Sequence, residues 1–391
     1  MKVALYFPWI YLRGGIERLI LELTSKSKHD WTIFTSHFEP ENTFPEYKEK
    51  RLIVLRDVPV TRNYLSLINA SVRIMSQKIK LDEFDALVVV SSGFAEFIAF
   101  RNKGIPSVCI CCTPLRVVHD PIISKKFLEE KSFFSKTGFS FFKKVYCYVE
   151  KLAWKRFQKV FCISGEIKNR VVSARLAPQE KIEVAYPGID LKRFKPSGRR
   201  EKYFLLPGRI MWTKNIGLGI RAFNELKAEG KLKGFKLVVA GSVDKKSEKY
   251  FSELRELMAG SPDIQFILSP HDKALFKLYD NAYAVFFTAI NEDWGIVPLE
   301  GMAFGKPVIA VNEGGPKESV KNGETGLLVE NNMEKMKEAM LFLAENPEKA
   351  LGMGKKGRKE AEKYDWSHFV EKIDYYIDSL SEKNRVGIEN K

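Results

Sequence analysis

Two glutamates, Glu292 and Glu300, stand with seven residues between them in the stretch NEDWGIVPLEGMAFGKPVIAVNEGG, residues 291–315. Proline suits the first helical position, where no N–H is needed. Gly305, followed by Lys306-Pro307, is a helix stop. The string therefore predicts a short helix, about 298–304, opening off the loop that carries Gly295. The first N–H groups of such a helix and its positive dipole end seat a phosphate. Glu300 is expected in the first turn and Glu292 ahead of the loop. A carboxylate on each side of a phosphate seat suits a ligand with hydroxyls at both ends of a diphosphate, as a nucleotide sugar has. Spacing alone is also met by a capped helix with ordinary surface glutamates, so the weight rests on the whole string.

That string, E-D-W-G-I-V-P-L-E-G-M-A-F-G-K-P-V-I-A, is followed by Glu313-Gly314-Gly315, Glu318 and Gly323-Glu324-Thr325-Gly326. It resembles the E-x7-E signature of the retaining GT-B glycosyltransferases, in particular glycosyltransferase family 4. The resemblance runs from Gly14 to about Gly326 and is densest over 160–330. It implies an α/β chain of GT-B fold: two doubly wound Rossmann-like domains facing a central cleft, with the last helix crossing back to the first domain. It further implies transfer of a hexose from a nucleotide sugar with retention and without a metal. The sugar is attacked on the face from which the phosphate leaves. Retaining hydrolases instead use two carboxylates about 5–5.5 Å apart, and Glu292 and Glu300 are expected too far apart along the donor for that.

Roles carry over position by position. Arg209 and Lys214 match the cations that reach the donor diphosphate; fixed positive charge there stabilises the transition state more than the ground state. Arg clamps phosphate bidentately and Lys acts as a point charge. Both follow a strand ending at Gly208, and parallel sheets bind ligands at the carboxyl ends of their strands. Glu292 is assigned to the sugar hydroxyls and Glu300 to the ribose. Gly208, Gly295, Ile296 and Val297 complete the donor set. Gly14-Gly15-Ile16-Glu17-Arg18 resembles the family's N-terminal glycine loop, with Gly15 letting backbone approach the diphosphate. An ordinary strand–helix turn explains that motif equally well. No Asp-x-Asp occurs anywhere, so neither a metal nor another cofactor is expected.

Cys112-Thr113-Pro114-Leu115-Arg116-Val117-Val118-His119-Asp120 resembles the C-H-T-P-x-R-Y-x-W-D string of family members often called mannosyltransferases. Thr113, Arg116 and His119 become the acceptor-side candidates. Two departures matter: Cys112 stands where the family has His, and His119 where it has Trp. A lone His is more often structural than catalytic. On the T-P-x-R string alone the preferred donor is GDP-mannose, with a UDP-sugar as the alternative. The acceptor is expected to be a glycan or a polyprenyl-linked sugar. Two other readings stay open: a non-catalytic nucleotide-sugar or nucleic-acid binding protein, and a GT-B enzyme with a soluble sugar acceptor, such as a phosphorylase or a sucrose-synthase-like enzyme.

The elements that must position these residues alternate strand and helix, which means parallel sheets covered on both faces. In the first half, strands are expected at 3–7, 31–35, 52–55, 86–90, 107–111, 160–163 and 182–185, with helices at 17–25, 64–80, 95–101, 141–157 and 166–176. The segment 190–201, DLKRFKPSGRRE, reads as a linker. Alternation then restarts, with strands at 203–206, 236–240, 264–267, 284–288 and 308–311 and helices at 218–229, 246–258 and 273–281. The expected domains are 1–190, completed by a helix at 364–382, and 195–360, with a disordered tail at 383–391. Trp366, Phe369, Ile373, Tyr376, Ile377 and Leu380 give the last helix its apolar stripe.

The chain has 391 residues and a net charge of +15, which points to an anionic partner. Residues 121–160 hold ten Lys/Arg against three Glu, together with ten aromatics. Basic and aromatic residues together suit an anionic membrane interface through 121–144, with Lys125, Lys126, Lys131, Lys136, Lys143, Lys144, Phe133, Phe134, Phe139, Phe141 and Phe142 at the surface. They also suit single-stranded nucleic acid, although no nucleic-acid partner is expected. For 145–157 a helix burying its aromatics is the simpler reading. No apolar run approaches the ~18 residues of a membrane span, and the N-terminal apolar run is too short for a signal peptide. The expectation is cytoplasmic, with room for peripheral contact at the inner membrane face. The five cysteines read as reduced, buried thiols: Cys109-x-x-Cys112 lies in a strand, and no second ligand pair for zinc appears.

Overall fold

A computed structural model describes residues 1–60, 64–129 and 133–389, with side chains at 64–65, 133–135 and 381–389 excepted. Lys131 and the side chains of Phe133 and Phe134, named above for membrane contact, therefore lie outside the described residues. The chain divides into two compact units, Met1–Pro187 with Trp366–Lys391, and Gly188–Asp365.

In the first unit the strands are β1 (Lys2–Tyr6), β2 (Trp9–Ile10), β3 (Asp30–Thr35), β4 (His37–Phe38), β5 (Leu52–Val54), β6 (Ala86–Ser91), β7 (Ser107–Cys111), β8 (Lys159–Cys162) and β9 (Ile182–Val184). Seven form one sheet in the order β5-β3-β1-β6-β7-β8-β9, every pairing parallel. β6 and β7 are buried at every position, as unbroken apolar runs covered on both faces must be. The order reverses between β1 and β6. β1 leads toward the helix Gly15–Lys26, and β6 leads to a 3-10 segment, Ala95–Phe100, in place of the α-helix expected at 95–101.

The last helix, Trp366–Glu389, packs on this unit. Its predicted stripe is buried at Trp366, Phe369, Ile373, Ile377 and Leu380 and half-buried at Tyr376. Asp374 accepts from Ser27 Oγ at 2.6 Å and from the Lys28 N–H at 3.1 Å. Those bonds satisfy groups at the end of the helix Gly15–Lys26 and fix the register of the two helices.

The second unit has β10 (Tyr203–Pro207), β11 (Lys236–Gly241), β12 (Ile264–Leu268), β13 (Ala284–Phe287), β14 (Val308–Val311) and β15 (Gly326–Val329). Its sheet is wholly parallel, in the order β12-β11-β10-β13-β14-β15. Counted from its own first strand this is 3-2-1-4-5-6, the doubly wound order of nucleotide-binding sheets. β10 and β13 flank the reversal, and they carry Gly208-Arg209 and the Glu292 loop at their carboxyl ends. Residues 190–201 are strapped to this unit. Phe194 packs on Phe276 and Phe304, and the Ser197 N–H donates to Asp280 Oδ1 at 2.8 Å.

Candidate active site

After β10 the chain passes Gly208 and Arg209 into a 3-10 turn, Trp212–Lys214, then through left-handed Asn215 (φ 47°) into the helix Ile216–Ala228. Thr288 Oγ1 donates to the Lys214 carbonyl at 2.7 Å, and the Ile290 N–H donates to the Thr213 carbonyl at 2.8 Å. The loops after β10 and β13 are thereby tied together at the switch point. Lys214 Nζ donates to Glu292 Oε2 at 2.8 Å and lies 5.3 Å from the Phe287 ring centroid. Arg209 is exposed, and no described carboxylate lies within ion-pair distance of it.

The Glu292 loop owes its shape to close backbone packing. The Gly315 N–H donates to the Glu292 carbonyl at 2.8 Å. A Cβ on Gly314 would run into the Glu292 backbone, and one on Gly315 into the Trp294 backbone. Trp294 is buried, 5.4 Å from the Tyr364 ring. Gly295, left-handed at φ 86°, caps a helix that spans Ile296–Ala303.

This corrects the expected start at 298. The left-handed glycine lets the chain turn into the helix two residues early, so Pro298 is third in it. That is tolerated because N–H groups of the first turn need no intrahelical partner. Glu300 consequently falls in the second turn. Tyr279 OH donates to Glu300 Oε2 at 2.6 Å, and Tyr279 is fully buried, stacked on Phe304. Burial pushes the Glu300 carboxyl up to about 7. The Tyr279 hydrogen bond opposes that rise, Asp272 adds to it, and Arg193, paired with Asp272 at 3.2 Å, opposes it again.

In the first unit Gly14 caps the helix that Gly15 begins. A Cβ on Gly14 would strike the Glu17 carboxylate, whereas one on Gly15 would meet nothing within 4 Å. After β7 comes Thr113, which donates through Oγ1 to the Pro114 carbonyl at 3.1 Å, and then the short helix Arg116–His119. Arg116 clamps the buried Asp120 through Nε at 3.2 Å and Nη2 at 2.8 Å. His119 Nε2 lies 2.7 Å from Glu150 Oε2. His119, Cys147 and Glu150 present ligand-type atoms within 4.8 Å of one another, a group the sequence reading missed. Cys147 is part-buried rather than buried, and the other four thiols are buried.

Residues 13–193 match the sequence family described as Glycosyltransferase Family 4, and residues 189–360 match Glycosyl transferases group 1. Over the whole chain the fold resembles sucrose-phosphate synthase from Thermosynechococcus elongatus, with a TM-score of 0.79 and 18% identity across 98% of this chain and 100% of that one. The chain is a GT-B glycosyltransferase. The fold of this glycosyltransferase is also similar to Anabaena HepE, crystallised with UDP, at a TM-score of 0.74 and 16% identity over 97% of this chain and all of that one. Among curated relatives it is 27% identical to the alpha-1,3/1,6-mannosyltransferase alg-2 of Neurospora crassa, over 88% of this chain and 83% of the relative.

Within the glycosyltransferase, the group 1 unit holds Gly208, Arg209, Lys214, Glu292, Gly295, Ile296, Val297 and Glu300 on the loops after β10 and β13 and on the helix Ile296–Ala303. The family 4 unit holds Gly15, Thr113, Arg116 and His119. Sequence reasoning missed Tyr279, Tyr146, Glu96 and Glu150. Only Glu96 left a signal, as a single charge inside the apolar run GFAEFIAF.

The basic aromatic segment also departs from expectation. Phe139 is buried against Phe127 and Phe142, so it is not a surface anchor. In the helix Phe133–Trp154, Tyr146, Glu150, Ala153 and Trp154 are buried. Phe141, Val145, Tyr148 and Leu152 are exposed, at 71%, 46%, 67% and 36%. Their i, i+4, i+7, i+11 spacing puts them on one helix face; within 145–157 the aromatics Tyr146, Trp154 and Phe157 are buried as expected, and Tyr148 is the exception.

Proposed function

We propose that this glycosyltransferase moves a hexose, mannose first, from a nucleotide sugar to a lipid-linked glycan acceptor, with retention of configuration and without a metal. The observation that carries the reading is the pairing of Lys214 with Glu292 at the sheet's switch point, beside Arg209 and the N-terminus of the helix Ile296–Ala303. An ammonium has three donor hydrogens. Lys214 can therefore hold Glu292 and still face a phosphate oxygen. Glu292 then accepts from sugar hydroxyls and Glu300 from the ribose. As the bond from the anomeric carbon to the β-phosphate oxygen breaks, negative charge grows on that phosphate, and Arg209, Lys214 and the helix N–H groups stabilise it. The acceptor oxygen enters on the departing face, and its proton passes to the leaving phosphate.

Mannose is supported by the name of the Neurospora relative, and the UDP bound by HepE keeps a UDP-sugar as the competing donor. A lipid-linked acceptor is favoured over a soluble one by the exposed stripe of the helix Phe133–Trp154, flanked by Lys136, Lys143 and Lys144. No helix among the described residues is long and apolar enough to cross a membrane, so the proposed contact is peripheral, at the cytoplasmic face. A thermal-shift panel of GDP-, UDP- and ADP-sugars with EDTA present tests the donor, followed by anomeric analysis of the product by NMR. Stabilisation by GDP-mannose and an α-linked product are expected. An inverted product would overturn the retaining reading.

A further inference from the structure

A chain of polar side chains runs through the interior of the family 4 unit and is not used by the chemistry above. Ser91 Oγ, at the end of β6, donates to Glu96 Oε2 at 2.6 Å. Tyr146 OH lies 3.3 Å from Glu96 Oε1 and 3.5 Å from Glu150 Oε1. The other oxygen of Glu150 meets His119 Nε2 at 2.7 Å. Glu96 and Glu150 are both fully buried, and Tyr146 nearly so. Two carboxylates shut away together are costly when both are ionised. Burial pushes Glu96 up, and pushes Glu150 up to about 7 against the pull of the His119 hydrogen bond, with the Glu96 charge adding to the rise.

The 2.7 Å contact is a hydrogen bond rather than a pair of ligands to one ion. Two ligands of a tetrahedral metal with bonds near 2.0–2.1 Å sit about 3.3 Å apart. The pair has two states that differ by one proton exchanged with solvent. When Glu150 is ionised it accepts Nε2–H, and the His119 ring keeps a lone pair on Nδ1. When solvent supplies a proton to Glu150, that proton is donated to Nε2, and the ring hydrogen lies on Nδ1. Among the described residues Nδ1 has no hydrogen-bond partner, and His119 follows β7 at the carboxyl end of the sheet, the edge where parallel sheets bind ligands. The groups that face Glu150 are His119 from the helix Arg116–His119, Glu96 from the 3-10 segment, and Tyr146 and Cys147 from its own helix; Lys143 and Lys151 act on Cys147.

We propose that Glu150 is a positioning residue for the acceptor: through the proton shared with His119, it decides whether Nδ1 offers a lone pair or a donor to an acceptor hydroxyl. This rests on the acceptor-side reading of His119.

The test uses the full chain labelled with ¹⁵N-histidine, the His119 signals being assigned by His119→Asn. In the wild type the ¹⁵N shifts should exchange tautomers as pH passes about 7. Glu150→Gln cannot titrate and should hold one tautomer across that range. Tyr146→Phe removes a bond that favours ionised Glu150 and should move the step to higher pH; it serves also where Glu150→Gln fails to fold. Transfer from GDP-mannose to octyl α-mannoside, at saturating donor, should change about tenfold across the step, the scale of one hydrogen bond. It should flatten in Glu150→Gln while GDP affinity is unchanged. Wild-type pH profile and shifts in a destabilised Glu150→Gln would overturn the proposal and leave a structural role alone. Undiminished transfer by His119→Asn would overturn the acceptor-side reading itself. Zinc that survives EDTA dialysis and is lost in Cys147→Ser would replace proton sharing with metal ligation.

Discussion

Lys214 and Glu292 neutralise each other, so truncating either one changes the charge its partner feels. Lys214→Ala removes the cation that pairs with Glu292 at 2.8 Å and, in the proposed site, the point charge offered to the phosphate. With Arg209→Ala it should lower kcat by about 10²–10³-fold if each acts as a preorganised donor to the leaving group. Steady-state transfer from GDP-mannose checks this, with EDTA throughout; wild-type activity lost to EDTA and restored by Mn²⁺ would sink the metal-free reading. Glu300 gives a sharper signature. An ionised carboxylate is the better acceptor for ribose hydroxyls, and this one is pushed up to about 7 by burial. GDP affinity should therefore rise between pH 6 and 8, by up to about tenfold. Calorimetry should show a smaller rise for Glu300→Gln, and a step displaced to higher pH for Tyr279→Phe, which loses the bond favouring the ionised form. The same shift acts on folding. A carboxyl raised in the folded state contributes stability below its ordinary range and loses it as pH rises through about 7. Glu300→Gln should gain thermal stability over the wild type at pH 8 relative to pH 5. Identical pH dependence of GDP affinity in the two proteins would place Glu300 outside the nucleotide site.

Glycines at the element scale separate structure from ligand contact. Gly314→Ala and Gly315→Ala each drive a Cβ into backbone of the Glu292 loop. Overpacking of this kind costs about 1–3 kcal/mol, so both should lower Tm and transfer together. Gly15→Ala differs, because its Cβ would meet open space at the first position of a helix, where Ala is the better helix former. Tm should hold or rise, while KM for the donor rises if the diphosphate approaches that backbone; an unchanged KM would reduce Gly15 to a turn residue. Element type was legible in the sequence wherever apolar runs were long. Each strand expected at the start of a βα step is present: the central ones are buried and read as apolar runs, and the edge strand Leu52–Val54 was legible from its LIV run although Ile53 and Val54 are exposed. The edge strand Gly326–Val329 was not, since only its glycine is buried and the three half-covered residues after it carry no period. Site residues set in loops with glycines were legible as strings. Tyr279 and Glu150 were not, because a single polar group that turns inward on an amphipathic helix looks in sequence like any surface position. The helix start at Ile296 was misplaced for a related reason: proline advertises a start, whereas the left-handed turn at Gly295 decides it.

Charge is distributed unevenly over the molecule as a whole. The chain carries +15, and residues 121–160 supply ten of its basic residues against three acidic ones. On the helix Phe133–Trp154 the exposed stripe of Phe141, Val145, Tyr148 and Leu152 runs alongside Lys144, while Lys125, Lys126 and Lys136 are exposed nearby. Each Lys near an anionic bilayer contributes about 1 kcal/mol, screened beyond a Debye length. Aromatic rings add burial at headgroup depth that salt does not screen. The two contributions make distinct predictions. The purified protein should sediment with anionic vesicles at low salt and be only partly released by salt. Changing Lys125, Lys126, Lys136, Lys143 and Lys144 to Ser should remove the salt-sensitive part. Phe141→Ser with Tyr148→Ser should remove the salt-resistant part, with no loss of Tm, because both side chains are already in water. Phe139→Ser should instead destabilise the fold, since that ring is buried against Phe127 and Phe142. A purified protein that ignores anionic vesicles at low salt would return the stripe to ordinary solvent-exposed surface and take away the main support for a lipid-linked acceptor.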